Sequence, residues 1–425
     1  MSSAPMTRVL VHGMFRSGTT LVSRMLGAPR GNLVVADPFV YVFKAYRALL
    51  HERFGARSIR PEETTSDWFQ DPDHRMHARY LDADLSESVP PAFMERIRRD
   101  LIAWKSDQHP RLIERLGELR PGSFAELFGD LLDLCGELYG SGDLSLLGTK
   151  LSWCEEFLPA AARALPDLRV LLVTRDVRAI AASQDHQRGP GRGKRPLLFY
   201  ARHWRKAVGF ARHLTLPDSM PTGRIAHLRY EDLVADPEAV LSRACDRLGI
   251  PFHPDMVRPE CFRDPSESTG WRDNSSFPAT GSGIRSESAD RWQATLDPSA
   301  RRTLESLCGP ELRWMGYDLS GGSSGSSCAA PERPLQRLIA PGEPLPAELP
   351  TWLQDQPAAE HLTNPTERLL EYGYEELRLQ AIEGLDLPPA LVRQLFPLPN
   401  SLARLRGAWR AGRQLNPVRQ ESIFH

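Results

Sequence analysis

The sequence contains very little lysine and almost no net charge. Only five of its 53 basic residues are lysine, so arginine supplies nearly all of the positive charge. The 53 basic and 54 acidic residues leave a formal net charge of -1 and a pI near 6.9. A general electrostatic attraction to nucleic acid needs a strong positive excess. The charge balance therefore excludes nucleic acid as a main partner, and any anion site has to be local.

Other common signals are also missing. The six cysteines show no CxxC spacing and no paired framework, which are the marks of zinc-binding and disulfide-rich proteins. No segment approaches the roughly 20 consecutive apolar residues that span a bilayer. The first residues, MSSAPMT, lack the charged start and the apolar stretch of a signal peptide. We therefore expect reduced thiols, no metal cluster and a cytoplasmic location.

Apolar strands alternate with helical segments over most of the chain. Strands are predicted at residues 7 to 13, in the segment LSLLGTK that ends at Lys150, at residues 170 to 173 and at residues 224 to 233. Two stretches have mainly helical spacing, residues 40 to 140 and 198 to 214. Continuous apolar strands separated by helices are typical of a parallel sheet that is covered on both faces. We therefore expect an α/β fold with helices flanking a parallel β-sheet.

A Gly/Ser-rich stretch divides the chain at residues 319 to 334, and it cannot bury enough apolar surface to order itself. We expect one large domain over residues 1 to 318, a linker, and a mostly helical extension over residues 335 to 425. Within the extension, residues 401 to 419 contain five arginines and no acidic residue. Such a segment can contact an anionic membrane or bind an acidic partner. We favour a helix that packs on its own catalytic domain.

The segment GMFRSGTT, residues 13 to 20, lies between the first predicted strand and a predicted helix. Its glycines, Gly13 and Gly18, have the separation found in a P-loop, whose backbone N–H groups and helix dipole face an anion. The residue after the second glycine is Thr19, where a nucleotide triphosphatase would have its lysine. The loop is therefore predicted to bind a terminal group with less charge than the phosphates of ATP. The alternative is an ordinary strand-to-helix turn.

A second segment, RDVRAIAAS, offers another place to bind an anion. Arg175 comes at the end of a predicted strand, and Ser183 follows eight residues later, two turns into the next helix. A guanidinium and a hydroxyl in these positions can reach one phosphate. Taken alone, the pattern is also common on protein surfaces.

Together the two segments resemble the donor-binding motifs of sulfotransferases that use 3′-phosphoadenosine 5′-phosphosulfate (PAPS), closest to the tyrosylprotein, carbohydrate and bacterial types. This resemblance covers about residues 7 to 318 and implies a P-loop-type sheet. It implies that the phosphosulfate is held by Arg16, Ser17, Gly18, Thr19 and Thr20. For the 3′-phosphate it implies Arg175 and Ser183, with Arg285 as a further contact. It places Tyr230 near the adenine, although a half-buried strand aromatic is an equally good interpretation.

Sulfuryl transfer resembles phosphoryl transfer in needing a base for the proton of the acceptor and cations for the departing phosphate oxygen. Arg16 is one predicted cation, and the resemblance gives Lys150 the same task; a solvated lysine is the alternative. Asp37, at the end of a predicted strand where relatives often have Glu-Pro, is the predicted base. His12 is more typical of a core histidine. Two further histidines, His109 and His203, have no support from the sequence.

We therefore expect an enzyme that transfers a sulfuryl group from PAPS to a hydroxyl or amine of a small molecule or glycan. The product nucleotide would be 3′,5′-ADP, and no metal is expected. A P-loop kinase would share the loop but would need the missing lysine and a magnesium-binding acid. A non-catalytic nucleotide-binding protein would keep the binding residues and need neither Asp37 nor Lys150.

Overall fold

The structure is a computed structural model that describes residues 6–36, 39–54, 79–80, 83–105, 109–183, 197–215, 223–263 and 284–319. These residues fall into two compact units. The first contains the described residues up to Arg175 together with Leu214–Ala289, and the second contains Asp176–His213 and the described residues from Asp290 onward. Almost all of the predicted linker and the whole of the predicted extension lie outside the described residues.

The first unit is built on a parallel sheet of five strands, β1 (Thr7–His12), β2 (Asn32–Ala36), β3 (Leu146–Leu151), β4 (Leu168–Thr174) and β5 (Ile225–Arg229). The strands lie in the order β2-β3-β1-β4-β5, and every pair of neighbours is parallel. The predicted α/β fold is thereby confirmed. Because β3 and β4 lie on either side of β1, their carboxyl ends flank the loop that follows β1.

Twelve helices are present among the described residues. In the first unit they are α1 (Thr19–Leu26), α2 (Val40–Arg53), α3 (Pro91–Lys105), α4 (Pro110–Arg115), α5 (Phe124–Tyr139), α6 (Leu158–Ala164), α9 (Tyr230–Ala235) and α10 (Pro237–Leu248). In the second unit they are α7 (Val177–Ala181), α8 (Leu197–Leu214, whose last residue belongs to the first unit), α11 (Trp292–Thr295) and α12 (Pro298–Trp314). The described parts of residues 40 to 140 and 198 to 214 are mainly helical, as predicted.

Apolar side chains cover both faces of the sheet. One cluster joins β1, β4 and β5 to α1 and α10, and includes fully buried Val9, Val22 and Leu241. A second, aromatic cluster joins α2 and α5 to the turn after β3, where Phe43 lies 6.1 Å from Phe128 and 5.6 Å from Phe157 between ring centroids. Burial on both faces explains why the central strands are continuously apolar in sequence.

The strand predicted over residues 224 to 233 is too long, because β5 ends at Arg229 and α9 begins at Tyr230. Arg229 is the last residue that pairs with β4, through Thr174. Glu231 and Asp232 then occupy the first turn of α9, where carboxylates interact favourably with the helix dipole. The strand therefore ends at Arg229, because its pairing with β4 stops there and because the acidic residues favour the start of a helix.

A buried ion-pair network organises the second unit around Arg178. Its guanidinium contacts Asp176 at 2.6 Å and Glu305 at 2.5 Å, and it lies 4.1 Å from the ring centroid of Trp292. Asp176 also caps α7 by accepting a hydrogen bond from the Arg178 backbone N–H. The network therefore fixes the start of α7, the first helix after β4.

Candidate active site

The loop between β1 and α1 depends on its two glycines for steric reasons. Gly18 has φ 98°, and a Cβ there would lie 2.3 Å from Cδ2 of Tyr230. A Cβ on Gly13 would lie 2.3 Å from the carbonyl oxygen of Val173. Both positions therefore require glycine, as in a phosphate-binding loop where the backbone has to approach closely.

Polar groups line this loop and the first turn of α1. Ser17 is 1% exposed, and its hydroxyl oxygen has no hydrogen-bond partner among the described residues. A buried hydroxyl without a partner is costly unless a ligand satisfies it. Thr19 and Thr20 are the first two residues of α1, whose leading N–H groups have no partner within the helix. This arrangement suits an anion.

Lys150 brings a cation to the same place from β3. Its Cα is paired with Val11 of β1 on one side and with Ala36 of β2 on the other. The Nζ atom donates to Oγ1 of Thr20 at 3.4 Å, and the residue is only 9% exposed. A lysine from a neighbouring strand therefore lies beside the loop that has none of its own.

Arg175 reaches the loop from the other side, directly after β4. Its Nη1 donates to the carbonyl oxygen of Arg16 at 3.2 Å, and its Nη2 donates to the carbonyl oxygen of Ser288 at 2.5 Å. Its Cζ lies 4.2 Å from the ring centroid of Tyr230, within cation–π distance. The hydroxyl groups of Tyr230 and Ser288 form a hydrogen bond with each other. The Ser288 hydroxyl also contacts the carbonyl oxygen of Arg285 at 2.7 Å.

The site therefore combines the leading N–H groups of α1 with the side chains of Lys150 and Arg175 at the carboxyl edge of a parallel sheet, where such folds bind their ligands. Arg16 itself has φ 65°, and Trp153 has φ 64°. They are the only non-glycine residues with positive φ in the described part of the chain. Such conformations are costly and cluster at functional sites. Within the described residues, no group of three or more His, Cys, Asp and Glu side chains is arranged to hold a metal ion.

The sequence pattern of the sulfotransferase family matches residues 8–254, which is more than half of the chain. This chain belongs to the sulfotransferase family. Among curated proteins, none matches it. In the described part of this sulfotransferase, no helix is both long and apolar enough to cross a membrane.

Solved structures with similarity to this sulfotransferase come from bacteria. The sulfotransferase domain of the curacin biosynthetic pathway is 20% identical, with a TM-score of 0.42, and the match covers 75% of this chain and 100% of that one. The sulfotransferase domain of the Synechococcus PCC 7002 olefin synthase is 18% identical, with a TM-score of 0.41 and coverage of 75% and 98%. STF1 from Mycobacterium tuberculosis H37Rv is 16% identical, with a TM-score of 0.31 and coverage of 60% and 70%.

The predicted base, Asp37, lies outside the described residues. The residue before it, Ala36, is the last residue of β2 and is paired with Lys150. His109 is buried at the same end of β2, and its Nε2 lies 3.1 Å from the carbonyl oxygen of Ala36. This contact was not predicted, because it joins residues 73 positions apart. The role of Asp37 as base stays a prediction.

The other two histidines are core residues. His12 is 1% exposed, and its Nε2 lies 3.4 Å from the backbone N–H of Cys154, which donates to it. This confirms the interpretation of His12 as a core histidine. His203 is 2% exposed and lies in α8 of the second unit.

Three further residues, Ser183, Arg285 and Tyr230, are predicted to contact the nucleotide. Ser183 belongs to the second unit and lies two residues beyond the end of α7, so the prediction that it lies two turns into that helix is wrong because α7 ends at Ala181. Its backbone N–H donates to the carbonyl of Ile180 at 3.1 Å. Arg285 precedes a short 3₁₀ turn over Ser286–Ser288 and is half-buried. Tyr230, the predicted adenine neighbour, is fully buried instead of half-buried. The ligand contacts of all three residues stay predictions.

Sequence reasoning missed two residues at this edge of the sheet. Ser288 contacts both Arg175 and Tyr230, although only Arg285, three residues earlier, was predicted as a contact. Trp153 packs edge-on against Phe15 of the loop, with ring centroids 5.4 Å apart. Only the placement of Trp153 three residues after Lys150 could have directed attention to it.

One titratable group near Arg175 has a strongly shifted pKa. His227 of β5 lies 2.8 Å from Oγ1 of Thr174, the last residue of β4. Burial, followed by the positive charge of Arg229, lowers the pKa of His227 to about 4. The imidazole is therefore neutral at pH 7 and adds no charge to the site.

Proposed function

We propose that this sulfotransferase uses PAPS as its donor and transfers the sulfuryl group to a hydroxyl group of a small-molecule or glycan acceptor. The observation that carries this proposal is the position of the Lys150 ammonium, 3.4 Å from Thr20 in the first turn of α1. In a P-loop kinase the corresponding cation is a lysine within the loop. Here Lys150 of the neighbouring strand could take that role. The loop can then hold a sulfuryl–phosphate anion with fixed donors alone.

The donor would lie along the carboxyl edge of the sheet. Its phosphosulfate would face the N–H groups of the loop and the hydroxyl groups of Ser17, Thr19 and Thr20. The otherwise unsatisfied Ser17 hydroxyl supports this fit. Arg175, with Ser183 and Arg285, would hold the 3′-phosphate through charge-assisted hydrogen bonds.

In the proposed reaction, the acceptor oxygen attacks sulfur in line with the departing phosphate oxygen. A bond forms between the acceptor oxygen and sulfur while the bond from sulfur to the 5′-phosphate oxygen breaks. Asp37 takes the proton of the acceptor hydroxyl as general base. Lys150 and Arg16 stabilise the negative charge that develops on the departing phosphate oxygen. The products are a sulfate ester and 3′,5′-ADP.

The donor assignment is tested by thermal unfolding of the full chain with nucleotides. A ligand that binds only the folded state stabilises it by about 2.7 kcal/mol at one hundred times its Kd. We expect 3′,5′-ADP to stabilise the protein, and 5′-AMP and Mg-ATP to do so much less. Equal stabilisation by 5′-AMP would contradict the 3′-phosphate contacts. Preferential stabilisation by Mg-ATP would favour the kinase alternative.

The chemistry is tested by incubating the enzyme with PAPS and small-molecule extract, and searching by mass spectrometry for products that have gained one sulfuryl group. We expect such products to form in EDTA as well as in magnesium. Dependence on magnesium would again favour a kinase. Failure to find any sulfated product despite tight 3′,5′-ADP binding would favour a non-catalytic nucleotide-binding protein.

Once an acceptor is known, the role of Asp37 as base can be tested with Asp37→Asn, which keeps the shape of the side chain and removes the base. We expect 3′,5′-ADP binding to persist while turnover falls by about 10²- to 10⁴-fold. His109→Gln serves as the comparison, because His109 contacts the strand end that precedes Asp37. Near-normal turnover in Asp37→Asn together with a large loss in His109→Gln would move the role of base to the histidine.

A further inference from the structure

We infer that Tyr230 and Ser288 are positioning residues that hold the Arg175 guanidinium in place, and that this support sets the preference for a 3′-phosphorylated nucleotide. The inference rests on the proposed function, because it takes Arg175 as a contact of the 3′-phosphate. It gives Tyr230 a different task from contact with the adenine. It also gives Ser288 a task that its sequence surroundings do not suggest.

Two backbone carbonyl groups help to orient Arg175. Its Nη1 donates to the carbonyl oxygen of Arg16 and its Nη2 to the carbonyl oxygen of Ser288. Carbonyl groups are dipoles without net charge, so these bonds fix the guanidinium plane and do not neutralise it. Because the side chain is only 5% exposed, its orientation depends on such buried contacts.

The ring of Tyr230 packs against the Arg175 guanidinium. The tyrosine is fully buried, with Gly18 against one part of its ring and the Arg175 Cζ atom 4.2 Å from the ring centroid. A ring in this position supports Arg175 through a cation–π contact. It presents no exposed surface on which an adenine could stack. The absence of a side chain at Gly18 is what allows the ring to lie this close to the loop.

Ser288 connects the support to Arg285. Its carbonyl oxygen holds Arg175, and its hydroxyl lies between the Tyr230 hydroxyl and the Arg285 carbonyl oxygen. One buried serine therefore links the two arginines that are proposed to contact the 3′-phosphate. Loss of either hydroxyl would leave a buried polar partner unsatisfied and the guanidinium less well oriented.

The experiment measures the Kd of 3′,5′-ADP and of 5′-AMP by calorimetry for the full chain and its variants. The informative quantity is the ratio of the two Kd values, because it isolates the contribution of the 3′-phosphate. We expect Tyr230→Phe and Ser288→Ala each to lower this preference by about tenfold, the amount expected when a displaced Arg175 guanidinium loses one charge-assisted hydrogen bond to the 3′-phosphate. Ser288→Thr, which keeps the hydroxyl, should restore most of it.

Two control variants remove other hydroxyl groups of the first unit, one from a buried tyrosine and one from an exposed serine. Tyr46→Phe removes a buried hydroxyl that lies 3.3 Å from the carbonyl of Asp84. Ser145→Ala removes a hydroxyl that lies 3.1 Å from the carbonyl of Gly31, before the start of β3 and hence at the amino edge of the sheet. Both controls should leave the ratio unchanged, whatever their effect on thermal stability.

Three outcomes are distinguishable. A fall in the ratio confined to Tyr230→Phe and Ser288→Ala supports the inference. An equal loss of affinity for both nucleotides would overturn it in favour of an adenine contact or a general loss of structure. If the unmodified enzyme does not prefer 3′,5′-ADP over 5′-AMP, the proposed donor itself is wrong and the inference falls with it.

Discussion

Substitution of Gly18 by alanine should damage both the fold and the donor site. The added Cβ would lie 2.3 Å from Cδ2 and 3.0 Å from Cε2 of Tyr230, whereas carbon atoms in ordinary contact are about 3.5–4.0 Å apart. The ring therefore has to move by about 1 Å, although it is fully buried and lies against Arg175. In addition, alanine at φ 98° carries the cost of a left-handed backbone conformation.

The expected loss of stability in Gly18→Ala is the sum of these two contributions. The backbone conformation costs about 1–2 kcal/mol and the steric overlap about 1–3 kcal/mol, which together give about 2–5 kcal/mol. Gly142→Ala is the matched control, because Gly142 has φ 75° and no atom within 4 Å of an added Cβ. It should show the backbone cost alone. Urea unfolding, followed by circular dichroism, measures both variants.

A double-mutant cycle tests whether the extra cost arises at Tyr230. In a Tyr230→Ala background the ring is absent, so Gly18→Ala should lose about 1–3 kcal/mol less than it does in the unmodified protein. Binding of 3′,5′-ADP should fall in Gly18→Ala and remain unchanged in Gly142→Ala. Equal destabilisation by the two glycine substitutions, or additivity in the cycle, would refute the reasoning.

Three further predictions concern other parts of the molecule. Burial lowers the pKa of His227 to about 4, below the unfolded value of about 6.5, so the protein should lose up to about 3 kcal/mol of stability as the pH falls from about 6.5 toward 4. Urea unfolding against pH should show this loss, and His227→Gln should abolish it. Arg178→Ala should cost about 3–5 kcal/mol because it removes a buried cation that contacts Asp176 and Glu305, whereas Arg115→Ala, which breaks exposed ion pairs with Glu118 and Glu137, should cost far less; comparable losses would contradict the assignment of the network. Arg16→Gly should be more stable than Arg16→Ala by about 0.5–1 kcal/mol, since only alanine keeps the cost of the positive φ; the reverse order in thermal unfolding would show that the loop relaxes.

The sequence was most informative where the signal is local. The loop with Gly13 and Gly18 was predicted from glycine spacing between a strand and a helix, and the structure has that arrangement. The prediction was poorer at residues 224 to 233, where a strand changes to a helix within one apolar run. The position of that change is set by the length of the pairing between β4 and β5, which local propensity does not encode.

The tertiary structure decides which residues surround the loop. Lys150 meets Thr20 across 130 positions, and Arg175 meets Arg16 across 159 and Ser288 across 113. These contacts exist because β3 and β4 lie on either side of β1.

By itself, the sequence determined the class of fold, the loop with Gly13 and Gly18 and the family, because each of these depends on short stretches of chain. The tertiary structure decided which distant side chains lie around that loop. It brought Lys150 to Thr20, and it buried Tyr230 against Arg175. It also brought Ser288 into contact with both. The physical reason is that the parallel sheet brings the ends of strands that are far apart in the chain to a single edge.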